Sequence, residues 1–244
     1  MPDVQIAATT PTTVVELRRR FKAICEATNQ RFQNYQIRVH RALSWLERAL
    51  EVDSDDQPDG RLLYSWIAFN SLYGTWDGDA GFPAKDRETW QAFIGGILSL
   101  DQNELLGKQL IVLRPQVLAL LENKFLDPRF WREPQATRSH RGQYYRAMSI
   151  YMEKWWLELL TMALDRVFVL RGQIVHGAAT RGSSLNRVVL RQCGQVLEGL
   201  LPPMLNLAIE HGAHGDWPAP RGSAGRNWTP PPRYAFLHDV LRLR

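Results

Sequence analysis

The chain is 244 residues long, 45% hydrophobic and 23% charged, the balance of a globular protein with one sizeable core and not that of a disordered chain. Two cysteines, Cys25 and Cys193, are too few and too far apart for a disulfide framework or a cysteine-held zinc ion, and no run of about 18 apolar residues offers a membrane span. With no signal pattern in residues 1–13, a cytoplasmic protein without membrane contact is expected; its net charge of +5, from 30 basic and 25 acidic side chains, permits a polyanionic partner without demanding one.

Residues 1–13 are small, polar and rich in Thr and Pro, so they are expected as a loose tail. Val14, Leu17, Phe21 and Ile24, then Phe32, Tyr35, Val39, Leu43, Leu46 and Leu50, recur at three and four and predict one long helix, or two with a break near Asn29. Arg18, Arg19 and Arg20 on its polar face read as a solvated face rather than a nucleic-acid patch. Asp53-Ser54-Asp55-Asp56 followed by Pro58-Asp59-Gly60 reads as a solvated turn. Residues 61–76 then form a helix that is apolar on nearly every side, through Leu62, Leu63, Trp66, Ile67, Phe69, Leu72 and Tyr73, and such a helix belongs at the centre of a fold. Asn70 is its polar exception: a buried amide needs partners, so it either ties two helices together or reaches a functional groove. Arg61, at the helix start, is a further candidate for that groove.

A Gly/Asp loop covers residues 74–83, and a short helix from about Asp86 turns Trp90, Phe93, Ile94 and Ile97 inward. Asp101 and Glu104 read as the cap of another helix through Leu113, Pro115 restarts it towards Phe125, and Asp127-Pro128 ends the unit. Residues 129–146 carry Arg129, Arg132, Arg138, Arg141 and Arg146 against a single acid, Glu133, with Phe130, Trp131, Tyr144 and Tyr145 interleaved. Arginine forks bind phosphate oxygens and exposed rings stack on unpaired bases, so Arg138 and Arg141 are candidate RNA contacts; the alternative is a basic loop whose rings belong to the core. From Tyr144 to His176 the apolar spacing predicts one long helix with two stripes, the second through Leu160, Leu164 and Phe168, then Arg171 and Val175. Two stripes need two partners: one is the rest of the bundle, and the other could be a second copy of the chain.

Ser183 or Ser184 can cap the next helix, which runs through Leu185, Val188, Val196 and Leu200 until Pro202-Pro203 kinks it ahead of a segment from Met204 to Ile209. Arg181, Arg187 and Arg191, with no acid until Glu198, are expected near the preceding helix end as an extension of the phosphate surface. Residues 212–232 are rich in Gly and Pro, and a short helix can follow at the C-terminus. The domain organisation is therefore a flexible tail (1–13), a helical domain (14–211) and an irregular extension (212–244). His211, His214 and Asp216 read as a polar loop, and no metal site or cofactor is expected.

The stretch Arg171-Gly172-Gln173-Ile174-Val175-His176-Gly177 sets a permanent cation and a titratable imidazole near the end of an apolar helix. At about 100° per residue from Arg171, Gly172 falls at about 100° and His176 at about 140°. The side chain between them is therefore a missing one, and an open notch is expected beside the imidazole. Gly177 reads as the helix stop, which puts His176 in the last turn where the dipole favours its cationic form. Gln173, about 60° from His176, is placed to orient the imidazole from the side away from Arg171.

Arg171-x4-His176-Gly177 near the end of a long helix, the stretch at 63–74, and a further helix after an Ala/Thr-rich loop together resemble the HEPN (higher eukaryotes and prokaryotes nucleotide-binding) superfamily, most closely bacterial HEPN-domain proteins of the ApeA type. The resemblance spans roughly residues 30 to 210. It departs from the family pattern at Gly172, where a polar residue, often Asn, is common. The resemblance implies an all-α HEPN-type bundle acting as a metal-independent endoribonuclease in a toxin–antitoxin or phage-defence setting. Its partners would be RNA, a second copy completing the cleft, and an antitoxin protein. His176 would move the proton of a ribose 2′-hydroxyl or of the leaving 5′-oxygen, and Arg171 would stabilise charge on the phosphate. Gly172 favours an alternative, a weak or inactive HEPN dimer that binds RNA, nucleotide or protein. A third reading is a structural adaptor in which Arg171 and His176 only cap and pair.

Overall fold

The computed structural model describes residues 13–28, 33–77, 82–132, 140–181, 184–212 and 217. The fold is all-α, with ten helices among these residues: α1 (Val14–Thr28), α2 (Gln33–Glu51), α3 (Pro58–Tyr73), α4 (Asp86–Leu100), α5 (Leu105–Val112), α6 (Arg114–Glu122), α7 (Pro128–Arg132), α8 (His140–Glu153), α9 (Trp156–Val175) and α10 (Arg187–His211). A two-residue antiparallel pair, with Trp76 opposite Pro83 and Asp77 opposite Phe82, closes the loop between α3 and α4. The tail at 1–12 and the end of the C-terminal extension lie outside the described residues, and so does Asn29, on either side of which α1 and α2 stand as separate helices.

The helix that is apolar all round is the central one. α3 packs along α2 on one side and α10 on another, with α4 and α9 also against it, and Leu62, Trp66, Phe69 and Leu72 are buried. Each such side chain contributes about 1.5–3 kcal/mol by leaving water. Beneath its C-terminal end the guanidinium of Arg38, from α2, is fully buried and donates to the Leu72 carbonyl at 2.8 Å. That places a cation where the helix dipole is negative, and burial pushes its pKa down to about 10. The arginine triplet of α1 is a solvated face only in part: Arg19 is exposed, while the other two tie helices together. Arg18 grips Glu47 of α2 through two bonds at 2.6 and 2.5 Å. Arg20 reaches Asn206 and Glu210 of α10 at 2.5 and 2.7 Å.

The long helix expected over 144–176 is two helices. Lys154 takes a left-handed backbone, φ 56°, the conformation that glycine usually supplies at a helix end, and the Trp155 amide closes α8 on the Ile150 carbonyl at 3.1 Å. Periodicity could not expose this break, since no Gly or Pro marks it. Its physical reason is Trp156, whose indole lies so close on Gly107 of α5 that a Cβ there would stand 2.6 Å from its nitrogen. Glu104, also left-handed at φ 52°, faces Lys154 across the junction at 3.1 Å. Asp101, rather than Glu104, caps α5, its carboxylate accepting from the Leu105 and Leu106 amides at 2.7 and 2.8 Å.

Most of the second stripe of α9 is covered from within the chain, while Val175 at its end is exposed. Leu160 and Leu164 are fully buried and Phe168 packs against the core, with α4, α5 and α6 lying against this helix. The buried part of the stripe therefore gives no argument for a second copy. α10 runs through Pro202 and Pro203 as one helix. Leu200, Leu201, Met204 and Leu205 are all buried around the two prolines, and that packing outweighs the two lost backbone bonds. A 3-10 turn at Ser184–Asn186 leads into α10, with Asn186 at its N-cap and no side-chain cap bond; Ser183 lies outside the described residues.

The chain after α10 is not wholly separate from the bundle. Trp217 packs on Tyr35 and Phe93, with ring centroids 5.6 and 6.4 Å away. Its indole N–H donates to the Gly212 carbonyl at 2.7 Å, and its own carbonyl accepts from Asn34 at 3.1 Å. The boundary expected at 211/212 therefore cuts through a packed contact.

Candidate functional site

Arg171 lies about one turn before the end of α9, on the side facing α3 and α4. Its guanidinium carbon is 5.5 Å from the Trp66 ring centroid and 5.8 Å from that of Phe168. An Nη atom stands 3.7 Å from an Asp86 oxygen. Asp86 opens α4, where a carboxylate favours the helix dipole, and it accepts from the Tyr73 hydroxyl at 3.4 Å. Cation–π contact of this kind is worth about 0.5–2 kcal/mol, so two rings and an acid set the direction of the side chain. With 22% of its surface still open, the fork keeps room for an anion.

His176 terminates the same helix, held by a double backbone closure. Gly177, at φ 73°, sits in the left-handed position. Its amide donates to the Ile174 carbonyl at 3.1 Å, and the Ala178 amide reaches back to Gln173 at 2.8 Å. That is the Schellman arrangement, and it confirms Gly177 as the stop. The imidazole is exposed, about 7.5 Å along the axis and about 140° round from Arg171. Between them Gly172 is open as expected: a Cβ added there meets nothing within 4 Å.

Gln173 does something other than orient the imidazole. Its amide nitrogen donates to the Phe125 carbonyl at 3.4 Å, so it holds the turn after α6 onto α9. Asn70 sits one turn beyond Trp66 on α3. Its Oδ1 is buried without a hydrogen-bond partner among the described residues, as are the indole nitrogens of Trp66 and Trp90. These atoms belong to α3 and α4, the helices that flank Arg171.

The expected phosphate contacts divide. Arg187 donates to the backbone carbonyls of Asp55 and Asp56 at 2.8 and 3.3 Å, and Arg191 meets the Asp55 carboxylate at 2.7 Å. Both hold the acidic turn after α2 onto α10, so that turn is docked as well as solvated, and Arg187 is engaged rather than waiting for phosphate. Backbone bonds from Asp55 and Asp56 to Asp53 lower the pKa of its carboxyl. Arg61 is also engaged, forking onto Glu198 at 2.6 and 2.7 Å and donating to the Val52 carbonyl at 2.8 Å. This ion pair forms one wall of a cavity of about 110 Å³ that Arg191 and Gln195 also line. Arg181 is exposed in the loop after His176. Arg138 lies outside the described residues, and of Arg141 only the backbone, in α8, is described. Of the other arginines in that stretch, Arg129 pairs with Asp127 at 2.9 Å and Arg146 with Glu158. His211 stands 3.8 Å from Glu210, while His214 and Asp216 lie outside the described residues.

Three residues of this region carry no signal in the sequence alone: Asp86, Phe125 and Asp127. Asp86 reads there only as a helix start. Asp127 reads as a turn residue, yet its carboxylate faces the buried Arg166 of α9 at 3.5 Å, and burial lowers the pKa of that guanidinium. Each acts through a partner tens of residues away, which no local spacing reveals. No described helix is long and apolar enough to cross a membrane. No known protein family, curated protein or solved structure matches the chain.

Proposed function

We propose that the chain is a metal-independent endoribonuclease of the HEPN type, acting on cytoplasmic RNA in a toxin–antitoxin or defence setting. The observation that carries this reading is the pairing, on one helix end, of a ring-braced, part-open Arg171 with an exposed His176, separated by the empty position at Gly172. His176 takes the proton from a ribose 2′-hydroxyl as that oxygen attacks the adjoining phosphorus, and the bond from phosphorus to the 5′-oxygen breaks. The leaving oxygen then takes up a proton, so the products are a 2′,3′-cyclic phosphate and a 5′-hydroxyl. Arg171 supplies fixed positive charge to the phosphate oxygens as charge builds on them. DNA, which lacks the 2′-hydroxyl, is not cut by this route. A second copy of the chain facing the notch would bring a second Arg/His pair, and an antitoxin would act by covering this surface.

A second reading, a binding module without chemistry, is favoured by one observation. Gln173, the neighbour placed to orient the imidazole, is turned to Phe125 instead, and general base catalysis needs a positioned group. Incubation of purified protein with total RNA and with tRNA in EDTA tests the two. New ends bearing cyclic phosphate from wild type and not from His176→Ala establish the nuclease; binding by both proteins with no new ends establishes the module.

A further inference from the structure

The turn between α6 and α7 lies along the flank of α9 that ends at His176. Two contacts hold it there, the Asp127 carboxylate against Arg166 at 3.5 Å and the Gln173 amide on the Phe125 carbonyl at 3.4 Å. Arg166 and Gln173 are seven residues apart, two turns, so they share one stripe of the helix. His176 lies about 60° round and about 4.5 Å further along it. Within the turn, the Asn123 side chain accepts from the Phe125 amide at 3.0 Å, and Leu126 is sunk in the core. With Leu126 anchored inward, Phe125 is presented outward, 51% exposed. Phe130 meets its ring at a near-perpendicular 81°, with centroids 5.3 Å apart, and the Lys124 ammonium stands 5.0 Å from its centroid. Phe125 thus presents part of an aromatic ring to water, with a cation over it, on the flank of α9 that leads to His176.

We propose that Phe125 and Lys124 form a stacking platform for an unpaired nucleobase of single-stranded RNA, seated beside His176. The proposal rests on the reading of Arg171 and His176 as an RNA-cleaving pair and names what that site selects. A base lying on Phe125 fixes the strand next to the imidazole, and Lys124 offers charge to the neighbouring phosphate. Because every base has a face that stacks, the platform prefers unpaired over duplex RNA and is tolerant of sequence.

The test uses the full chain carrying His176→Ala, so that RNA is held and not consumed, with binding of a short single-stranded RNA and of a blunt RNA duplex read by fluorescence anisotropy. Adding Phe125→Leu, which keeps an apolar group against Phe130, is expected to weaken single-strand binding about ten-fold, the scale of one lost base–aromatic stack. Duplex binding and Tm stay unchanged, and Phe125→Trp restores the affinity. If the parent binds single-stranded RNA and Phe125→Leu binds it equally well, the platform is overturned while the Arg171/His176 reading stands. If the parent binds no RNA and wild type cleaves none, the reading falls and the platform with it.

Discussion

Asp86 faces Arg171 across the space between α4 and α9 at 3.7 Å, within ion-pair range and beyond that of a direct hydrogen bond. The acid therefore steers the guanidinium by charge without occupying its donors. Asp86→Asn is expected to strengthen RNA binding several-fold, since the competing anion is gone while the two rings still brace Arg171. The fold should lose about 1 kcal/mol, because at 3.7 Å the pair makes no hydrogen bond and the amide oxygen of Asn still accepts from the Tyr73 hydroxyl. Binding curves at two salt concentrations check this; weaker binding would mean that Asp86 is needed to place the fork.

Glycine to alanine should act in opposite directions at two positions. At Gly172, where an added Cβ meets nothing within 4 Å, Ala should stabilise the helix by about 0.5–1 kcal/mol. At Gly107 the same Cβ would stand 2.6 Å from the Trp156 nitrogen, and Ala should cost about 1–3 kcal/mol by overpacking. Urea midpoints for the two variants, side by side, decide the matter. Gly172→Asn puts a polar side chain at the notch, and its cleavage of RNA relative to wild type shows whether the site works better filled.

Alkaline pH should unfold the protein through Tyr151. Its hydroxyl is buried and donates to the Leu110 carbonyl at 3.0 Å, and burial pushes its pKa well above the usual tyrosine value. The unfolded chain releases this proton near pH 10, before the native state does. Stability is then fully present below that pH and falls as pH rises through it, by about 1.4 kcal/mol per unit for this one proton. Tyr151→Phe should be less stable at pH 8 by about 1 kcal/mol, for the lost bond, and show a shallower decline from pH 9.5 to 11. Denaturant titrations at several pH values measure both terms.

The Arg61–Glu198 fork joins the start of α3 to the middle of α10 and is largely withdrawn from water. Arg61→Met alone should cost about 3 kcal/mol, leaving Glu198 buried without its partner, while Arg61→Met with Glu198→Leu should recover most of that loss. RNA affinity, corrected for the fraction folded, should not change in either variant. A specific loss of binding would instead return Arg61 to the functional surface.

What could be read from the sequence was local. Spacing at three and four located α1 and α2, the all-round apolar pattern put α3 at the centre, and Gly177 marked the end of α9. The break at Lys154 was not legible, because a lysine was doing a glycine's work and its cause, Trp156 meeting Gly107, lies in another helix. The same limit applied at the site. Arg171, Gly172 and His176 lie within six residues, and their angular relation follows from helix geometry alone. Asp86 and Phe125 come to that helix from 85 and 48 residues away, and Arg187 was assigned to phosphate because its partners, the carbonyls of Asp55 and Asp56, carry no side-chain signal at all.

The central place of α3 has a consequence for how the protein is made. Its apolar surface is covered partly by α10, which begins more than a hundred residues later in the chain. At synthesis rates of about 5–20 residues per second, that interval lasts on the order of ten seconds. Throughout it, Leu62, Trp66, Phe69 and Leu72 wait outside the ribosome without their final cover. The nascent chain thus exposes during translation the kind of apolar surface that aggregates, and a messenger that stalls before α10 would yield a sticky fragment rather than a shorter protein.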